Sequence, residues 1–229
     1  MVDNCLRGET PGRWCGRMIP MIIEVDEYKN KVPGYTPEKS ESFHHESGKL
    51  ADKDFVDSLK SRKYKRIVFM AGGTASGKTE FAHSYLTKKD QLVYDGTLKD
   101  INGFKIKLQK IERYDKNNSR IKVVLIIPKD WVKAFEAFLK RERRMRPITF
   151  FDTHIRSKLA VSRILSETKT RVEVYVSDVK DGTDKLSYIR LNMSKGRKSI
   201  AENLVLAARS MNKIAAENAI EINADYGSM

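Results

Sequence analysis

Residues 72–79, Gly-Gly-Thr-Ala-Ser-Gly-Lys-Thr, carry the spacing G-x-x-x-x-G-K-T. These types suit one chemistry, the binding of a polyphosphate. Glycines let the backbone N–H groups of Gly72, Gly73, Thr74, Ala75, Ser76 and Gly77 curl around phosphate oxygens. A following helix N-terminus adds its partial positive charge. Lys78 is placed to reach the β- and γ-phosphates, and Thr79 to ligate Mg²⁺ through its hydroxyl. The bland alternative is a glycine turn that binds nothing. The flanks argue against it: Ile67-Val68-Phe69-Met70 reads as a buried strand, and Glu80 to Leu86 continues as a helix.

Two carboxylates occupy positions that could serve this chemistry. Met21-Ile22-Ile23-Glu24-Val25 reads as a strand, and Asp26 lies just past its end. Open α/β sheets bind ligands beyond the carboxyl ends of their strands. An ionised carboxylate there can take the proton of an attacking hydroxyl. A capping or surface aspartate has the same spacing. Gln91-Leu92-Val93-Tyr94 reads as another short strand that ends in Asp95-Gly96-Thr97. Asp95 could bind substrate hydroxyls, or hold the water shell of a metal, or make an Asx turn with Gly96.

Cations follow. Arg141, Arg143, Arg144 and Arg146 lie within six residues. A guanidinium holds phosphate oxygens in a bidentate fork, and phosphoryl transfer needs cations over the moving group. A solvated basic helix end gives the same pattern. His44 and His45 are adjacent, so on a helix or strand they point apart and do not make a metal pair.

Further elements must position these groups. Helical stripes are expected over 49–60, 101–114, 129–145, the second half of 147–165, and 199–222. Ile121 to Ile127, closed by Pro128, is the strongest strand. Val172, Val174 and Val176 alternate, and Leu186 to Leu191 forms the return strand of a hairpin turning at Asp181-Gly182-Thr183-Asp184. Trp131, Ala134, Phe135, Phe138 and Leu139 are expected to be buried, as are Ile200, Leu204, Ala207, Ala208, Met211 and Ile214. Residues 1–19 read as an irregular arm, 20–192 as the main domain, and 193–229 as a helical extension packed on or beside it.

The chain has 229 residues, 40% hydrophobic and 32% charged, which suits a globular domain with appendages. No run approaches the roughly 18 apolar residues of a membrane span. No apolar signal segment opens the chain. Cys5 and Cys15 alone make neither a disulfide framework nor a metal cluster, so a cytoplasmic setting without a membrane partner is expected. With 44 basic against 30 acidic residues the net charge is +14. It attracts nucleic acid, nucleotides or an acidic partner without choosing among them.

Taken together these parts resemble the zeta-toxin family of P-loop kinases. The resemblance rests on Ala71 to Thr79, on Asp26-Glu27-Tyr28-Lys29 with Val32-Pro33-Gly34-Tyr35, on Leu92 to Leu98, on Leu125-Ile126-Ile127-Pro128, and on the arginines that follow. It covers roughly residues 20–192. The order is changed: in that family the glycine loop precedes the Asp-bearing strand, whereas here Asp26 comes first. The chain would enter at the usual second strand and cross by the 49–60 helix to the central one. Asp95 stands in place of the usual Glu, and Lys29 and Val32 in place of Arg and His.

The resemblance implies a kinase that uses ATP or GTP with Mg²⁺ to phosphorylate a nucleotide sugar, UDP-N-acetylglucosamine, and that is held inactive by a small antitoxin. By position, Asp26 would be the base, and Lys78 and Thr79 the phosphate and Mg²⁺ residues. Asp95, Gly96, Thr97 and Lys29 would contact the acceptor, and Arg141 and Arg146 would serve the lid, with Arg143 and Arg144 competing. The expected fold is α/β, a mostly parallel sheet of about five strands with helices on both faces. A kinase of nucleic-acid ends and a non-catalytic nucleotide-binding module are the rival readings.

Overall fold

The computed structural model describes residues 20–61, 64–115, 119–143, 145–179, 185–194, 196–218, 220 and 222. Cys5, Cys15, Trp14, Arg144 and the 181–184 turn lie outside them. Six strands form one sheet in the order β1-β3-β2-β4-β5-β6. They are β1 (Met21–Glu24), β2 (Arg66–Ala71), β3 (Gln91–Asp95), β4 (Arg120–Pro128), β5 (Arg171–Val179) and β6 (Leu186–Arg190). All neighbouring pairs are parallel except β5 and β6, which pair antiparallel as the hairpin reading requires. The sheet therefore has one strand more than the five expected, and the extra one is the hairpin's return.

Parallel neighbours need crossovers, and helices supply them. α1 (His44–Lys60) joins β1 to β2, α2 (Lys78–Tyr85) joins β2 to β3, and α3 (Ile101–Tyr114) joins β3 to β4. α4 (Trp131–Leu139) and α5 (Pro147–Glu167) lead to β5, and α6 (Arg197–Glu217) follows β6. β1 lies beside β3 at one edge, and its helix crosses back to the strand that feeds the glycine loop.

One sheet face carries α1, α3 and α5. Phe55 of α1, Phe104 of α3 and Val161 of α5 pack there on Ile67, Phe69, Leu92, Val123 and Val174, all buried. Among the described residues the other face is covered by α2 alone, through Phe81, Ala82 and Leu86 on Val68, Met70, Val93 and Val124. At its β4–β6 side that face is polar. Glu173 sits between Lys122 at 3.1 Å, Arg171 at 2.7 Å and Arg190 at 3.4 Å. Helical cover is thus strongly one-sided.

A second core joins α4, α5 and α6 around Phe138, Phe150, Ile155, Val205 and Met211. The structure corrects several expectations. α4 stops at Leu139, well short of Met145, and α5 opens at Pro147 with Arg146 extended before it. All of 147–167 is helical, not only its second half. Trp131, Leu139 and Ala207 are exposed, since α4 offers only a narrow face to α5 and Ala207 turns away from the α5–α6 contact. α1 begins five residues before Lys49, and α6 ends at Glu217.

Candidate active site

The carboxyl ends of β1, β3 and β2 lie side by side, with Glu24 level with Asp95 and Phe69 level with Tyr94. Each strand end delivers one expected group: Asp26 after β1, Asp95 at the end of β3, and the glycine loop after β2. All three line one cleft of about 570 Å³, together with Lys78, Thr79, Thr97, Arg141 and Arg143. A second lobe of about 470 Å³ adjoins it and shares Asp26, His44, Thr74, Thr97 and Lys99. Its own walls come from the first turns of α5, including Thr149, Asp152, Thr153 and Arg156, with Ile148 and Met145.

The loop is fixed by its own Lys78 and by side chains from α5, β5 and β6. Four of its carbonyls each meet a side-chain donor. Lys78 Nζ donates to Gly73 O at 2.8 Å and His154 Nε2 to Thr74 O at 2.9 Å. Ser177 Oγ donates to Ser76 O at 2.9 Å and Tyr188 OH to Gly77 O at 2.8 Å. None of these four carbonyls is left to repel an anion. A carbonyl can only accept, so His154 carries its proton on Nε2. Gly72 sits at φ 136°, and a Cβ there would meet Ile126 O at 2.5 Å. Gly77 sits at φ 85°, where side chains other than glycine are strained. Ala75 and Leu98 also take left-handed backbone, at φ 58° and 44°, and both line the first lobe. Such strain collects where a site needs a particular shape.

Thr79 Oγ1 donates to Asp95 Oδ2 at 2.6 Å, and the other Asp95 oxygen is buried with no hydrogen-bond partner among the described residues. Asp95 is thus bound to Thr79, the residue expected from the sequence to ligate Mg²⁺. Burial pushes its carboxyl up, against the pull of Lys78 and the Thr79 bond. Burial likewise lowers Lys78, countered by Asp95. The donor set fits Mg²⁺: one hydroxyl, one carboxylate with an unsatisfied oxygen, and room for phosphate oxygens and water. Among the described residues no three His, Cys, Asp or Glu side chains form a metal cage, His44 and His45 included.

Asp26 is half-exposed at the junction of the two lobes. Lys29 Nζ reaches one of its oxygens at 2.8 Å, and Arg143 the other at 3.8 Å. Burial pushes this carboxyl up, but the Lys29 charge and hydrogen bond, with Arg143, outweigh it and hold it below the ordinary range. Lys29 is itself 1% exposed and also donates to Ser40 Oγ at 3.0 Å. The structure therefore places Lys29 as the support of Asp26. Gly96 and Thr97 lie in the cleft, and Thr97 O accepts from Gly72 N at 3.3 Å.

The arginines divide. Arg141 lines the loop cleft. Arg143 bridges Asp26 and Glu27, the latter at 2.7 Å. Arg146 is paired with Glu41 at 2.8 Å and borders the second lobe. Arg144 lies outside the described residues. Sequence reasoning missed Thr153, His154, Ser177 and Tyr188, which hold the loop, and Glu41, which ties α5 to the 3₁₀ turn Pro37–Phe43 through Arg146 and Thr149. No local pattern marks them: they lie about 80 to 110 residues from their partners.

No family model matches the chain, and no curated protein sequence matches it.

Proposed function

We propose that this chain is a P-loop kinase, transferring the γ-phosphoryl group of ATP or GTP, with Mg²⁺, to a hydroxyl of a small polar substrate. The observation that carries this reading is the convergence of three groups on one cleft: a complete glycine loop with Lys78, the Thr79–Asp95 pair, and the Asp26 carboxylate. Each has a distinct role in phosphoryl transfer. The loop and Lys78 would hold the phosphates, and Thr79 and Asp95 would hold Mg²⁺. Asp26 accepts the acceptor's proton as its oxygen attacks in line. When bound, the metal would supply positive charge to the phosphates held there. Arg141 is the cation best placed to meet charge on the transferring group, since it shares the loop's lobe while Arg143 there is engaged by Asp26 and Glu27.

The second lobe is our acceptor site. Its walls mix hydroxyls (Thr97, Thr149, Thr153), acids (Glu41, Asp152) and cations (Lys99, Arg146, Arg156). That mixture suits a polyhydroxylated molecule with an anionic group. A nucleotide sugar such as UDP-N-acetylglucosamine is the leading choice, in keeping with the zeta-toxin resemblance, and a small antitoxin is then the partner to seek. The net charge of +14 favours nucleic-acid ends as the alternative acceptor. Glu41 and Asp152 inside the lobe weigh against a polyanion.

The test is label transfer from ATP or GTP with Mg²⁺ into nucleotide sugars, RNA and DNA 5′-ends, and water, beside Asp26→Asn and Lys78→Ala. Label on a nucleotide sugar, lost in both variants, is the expected result. Label on nucleic-acid ends moves the acceptor to the alternative. Hydrolysis alone, indifferent to Asp26, overturns the kinase reading.

A further inference from the structure

We infer that Thr153 and His154, neighbours on α5, are positioning residues for the glycine loop, gripping Thr74 at both of its backbone polar groups. The inference rests on the kinase reading above. Thr153 Oγ1 donates to Phe150 O at 3.1 Å, which turns its lone pairs outward. Thr74 N–H then donates to that oxygen at 3.1 Å, so it is committed to α5 and not to phosphate as the sequence reading expected. One residue on, His154 Nε2 donates to Thr74 O at 2.9 Å. Two successive residues of one helix therefore fix the N–H and the C=O of one loop residue. The contact spans about 80 residues of sequence, and both side chains are nearly fully buried.

The grip has no slack. The His154 ring packs on Phe150 at 4.4 Å between centroids, and a Cβ on Gly73 would meet that ring at 2.1 Å. Burial, aided by the Lys158 charge, keeps the imidazole neutral, so its single N–H stays committed to Thr74 O. A polyphosphate site depends on loop N–H groups held in one orientation, and a rigid helix is a better support than another loop. Thr74 and Thr153 also line the second lobe, so the grip lies where donor and acceptor sites meet.

The experiment compares His154→Phe with His154→Gln, and Thr153→Val with Thr153→Ser, by thermal melting and by equilibrium binding of MgATP and MgGTP. Lys78→Ala is the control for loss of the phosphate site. Phenylalanine keeps the ring but loses the donor, and glutamine does the reverse. The expected result is nucleotide binding weakened roughly tenfold in His154→Phe and Thr153→Val, one hydrogen bond's worth each. His154→Gln and Thr153→Ser should return most of it. A packing role alone reverses the His154 order, with glutamine the worse. If His154→Phe and Thr153→Val both leave binding at the wild-type level while Lys78→Ala abolishes it, the positioning inference falls and the kinase reading stands. If wild type binds neither nucleotide, both fall. Should His154→Phe fail to melt cooperatively, the Thr153 pair decides.

Discussion

An asparagine at position 26 separates the chemical job of Asp26 from its structural one. Among the described residues, buried Lys29 takes its charged partner from Asp26 alone, with Ser40 as the neutral one. Asparagine keeps an oxygen that can accept from Lys29 at the same place. The ion pair becomes a hydrogen bond from a charged donor to a neutral acceptor, a loss of about 1–2 kcal/mol. That is small against the roughly 5–15 kcal/mol that holds a typical domain. Alanine instead leaves a buried ammonium with Ser40 only, at a cost of about 3–5 kcal/mol. Asp26→Asn therefore folds, binds MgATP or MgGTP as wild type does, and loses the base. A general base contributes on the order of 10²–10⁴ in rate. At 1.36 kcal/mol per tenfold that is about 3–5 kcal/mol of activation free energy. Single-turnover transfer to the acceptor found in the panel, with nucleotide binding measured on the same samples, reads both quantities. Transfer by Asp26→Asn within tenfold of wild type, at unchanged nucleotide binding, would refute the assignment.

The same geometry fixes a pH dependence. The base acts only when ionised, and Lys29 and Arg143 hold Asp26 below its ordinary value of 3.8 despite burial. The acid limb of the transfer rate that belongs to Asp26 thus lies below the usual carboxylate range. Lys29→Met removes the main lowering partner, so the limb moves to higher pH. A limb that stays in place in Lys29→Met would mean that another group titrates.

Three further expectations concern the scaffold. Gly73→Ala forces a methyl into the His154 ring, which Phe150 and Thr74 hold in place, so nucleotide binding should weaken at least as much as in His154→Phe while the melt changes by only a few degrees. Lys158 is buried between α5 and α6, and burial lowers it from 10.5 to about 8. The folded state therefore binds this proton less well than the unfolded one, and stability should rise with pH between those values. Lys158→Met relieves roughly 3 kcal/mol at neutral pH. It should raise the melting temperature by about 6–12 °C, with the gain shrinking towards pH 10.5. Glu173 is pushed up by burial but held below 4.5 overall by Lys122 and the Arg171 and Arg190 charges. Its contribution is complete above the unfolded value of 4.5 and is lost as pH falls through the folded one. Glu173→Gln should flatten acid unfolding in that window and destabilise the protein above it.

What the sequence displayed was local. Six strands, the glycine loop and Asp26 and Asp95 beyond strand ends are all carried by short patterns of apolar alternation, glycine spacing and turn residues. Helix ends were less legible, because α4 ends at Leu139 with no glycine or proline beside it to mark the stop. The role of Asp95 stayed open between sugar contact and metal shell, since only the fold brings Thr79 within 2.6 Å. Lys29 was an acceptor contact only by its place in the family resemblance. A 3₁₀ turn, Glu27–Lys31, folds its ammonium onto the Asp26 carboxylate, a support that the sequence alone did not show. The supports of the loop were invisible for a simpler reason: Thr153, Ser177 and Tyr188 are ordinary polar residues of a helix and two strands, and their partners are fixed by packing alone.

The order of the motifs along the chain does not fix their order in the sheet. A strand at the edge has one neighbour, so its place does not depend on which crossover delivers it, provided the strand ends parallel. β1 pairs with β3 only, among the described strands, and its register sets Glu24 level with Asp95. Supplying it first requires α1 to pass from the edge to β2, after which α2 returns to β3 in the gap between them. The neighbours at the site are then β1, β3 and β2, whichever of them the chain makes first. Asp26, Asp95 and the loop meet in one cleft because three parallel strands end together, and a site is defined by that meeting and not by the order of the residues that make it.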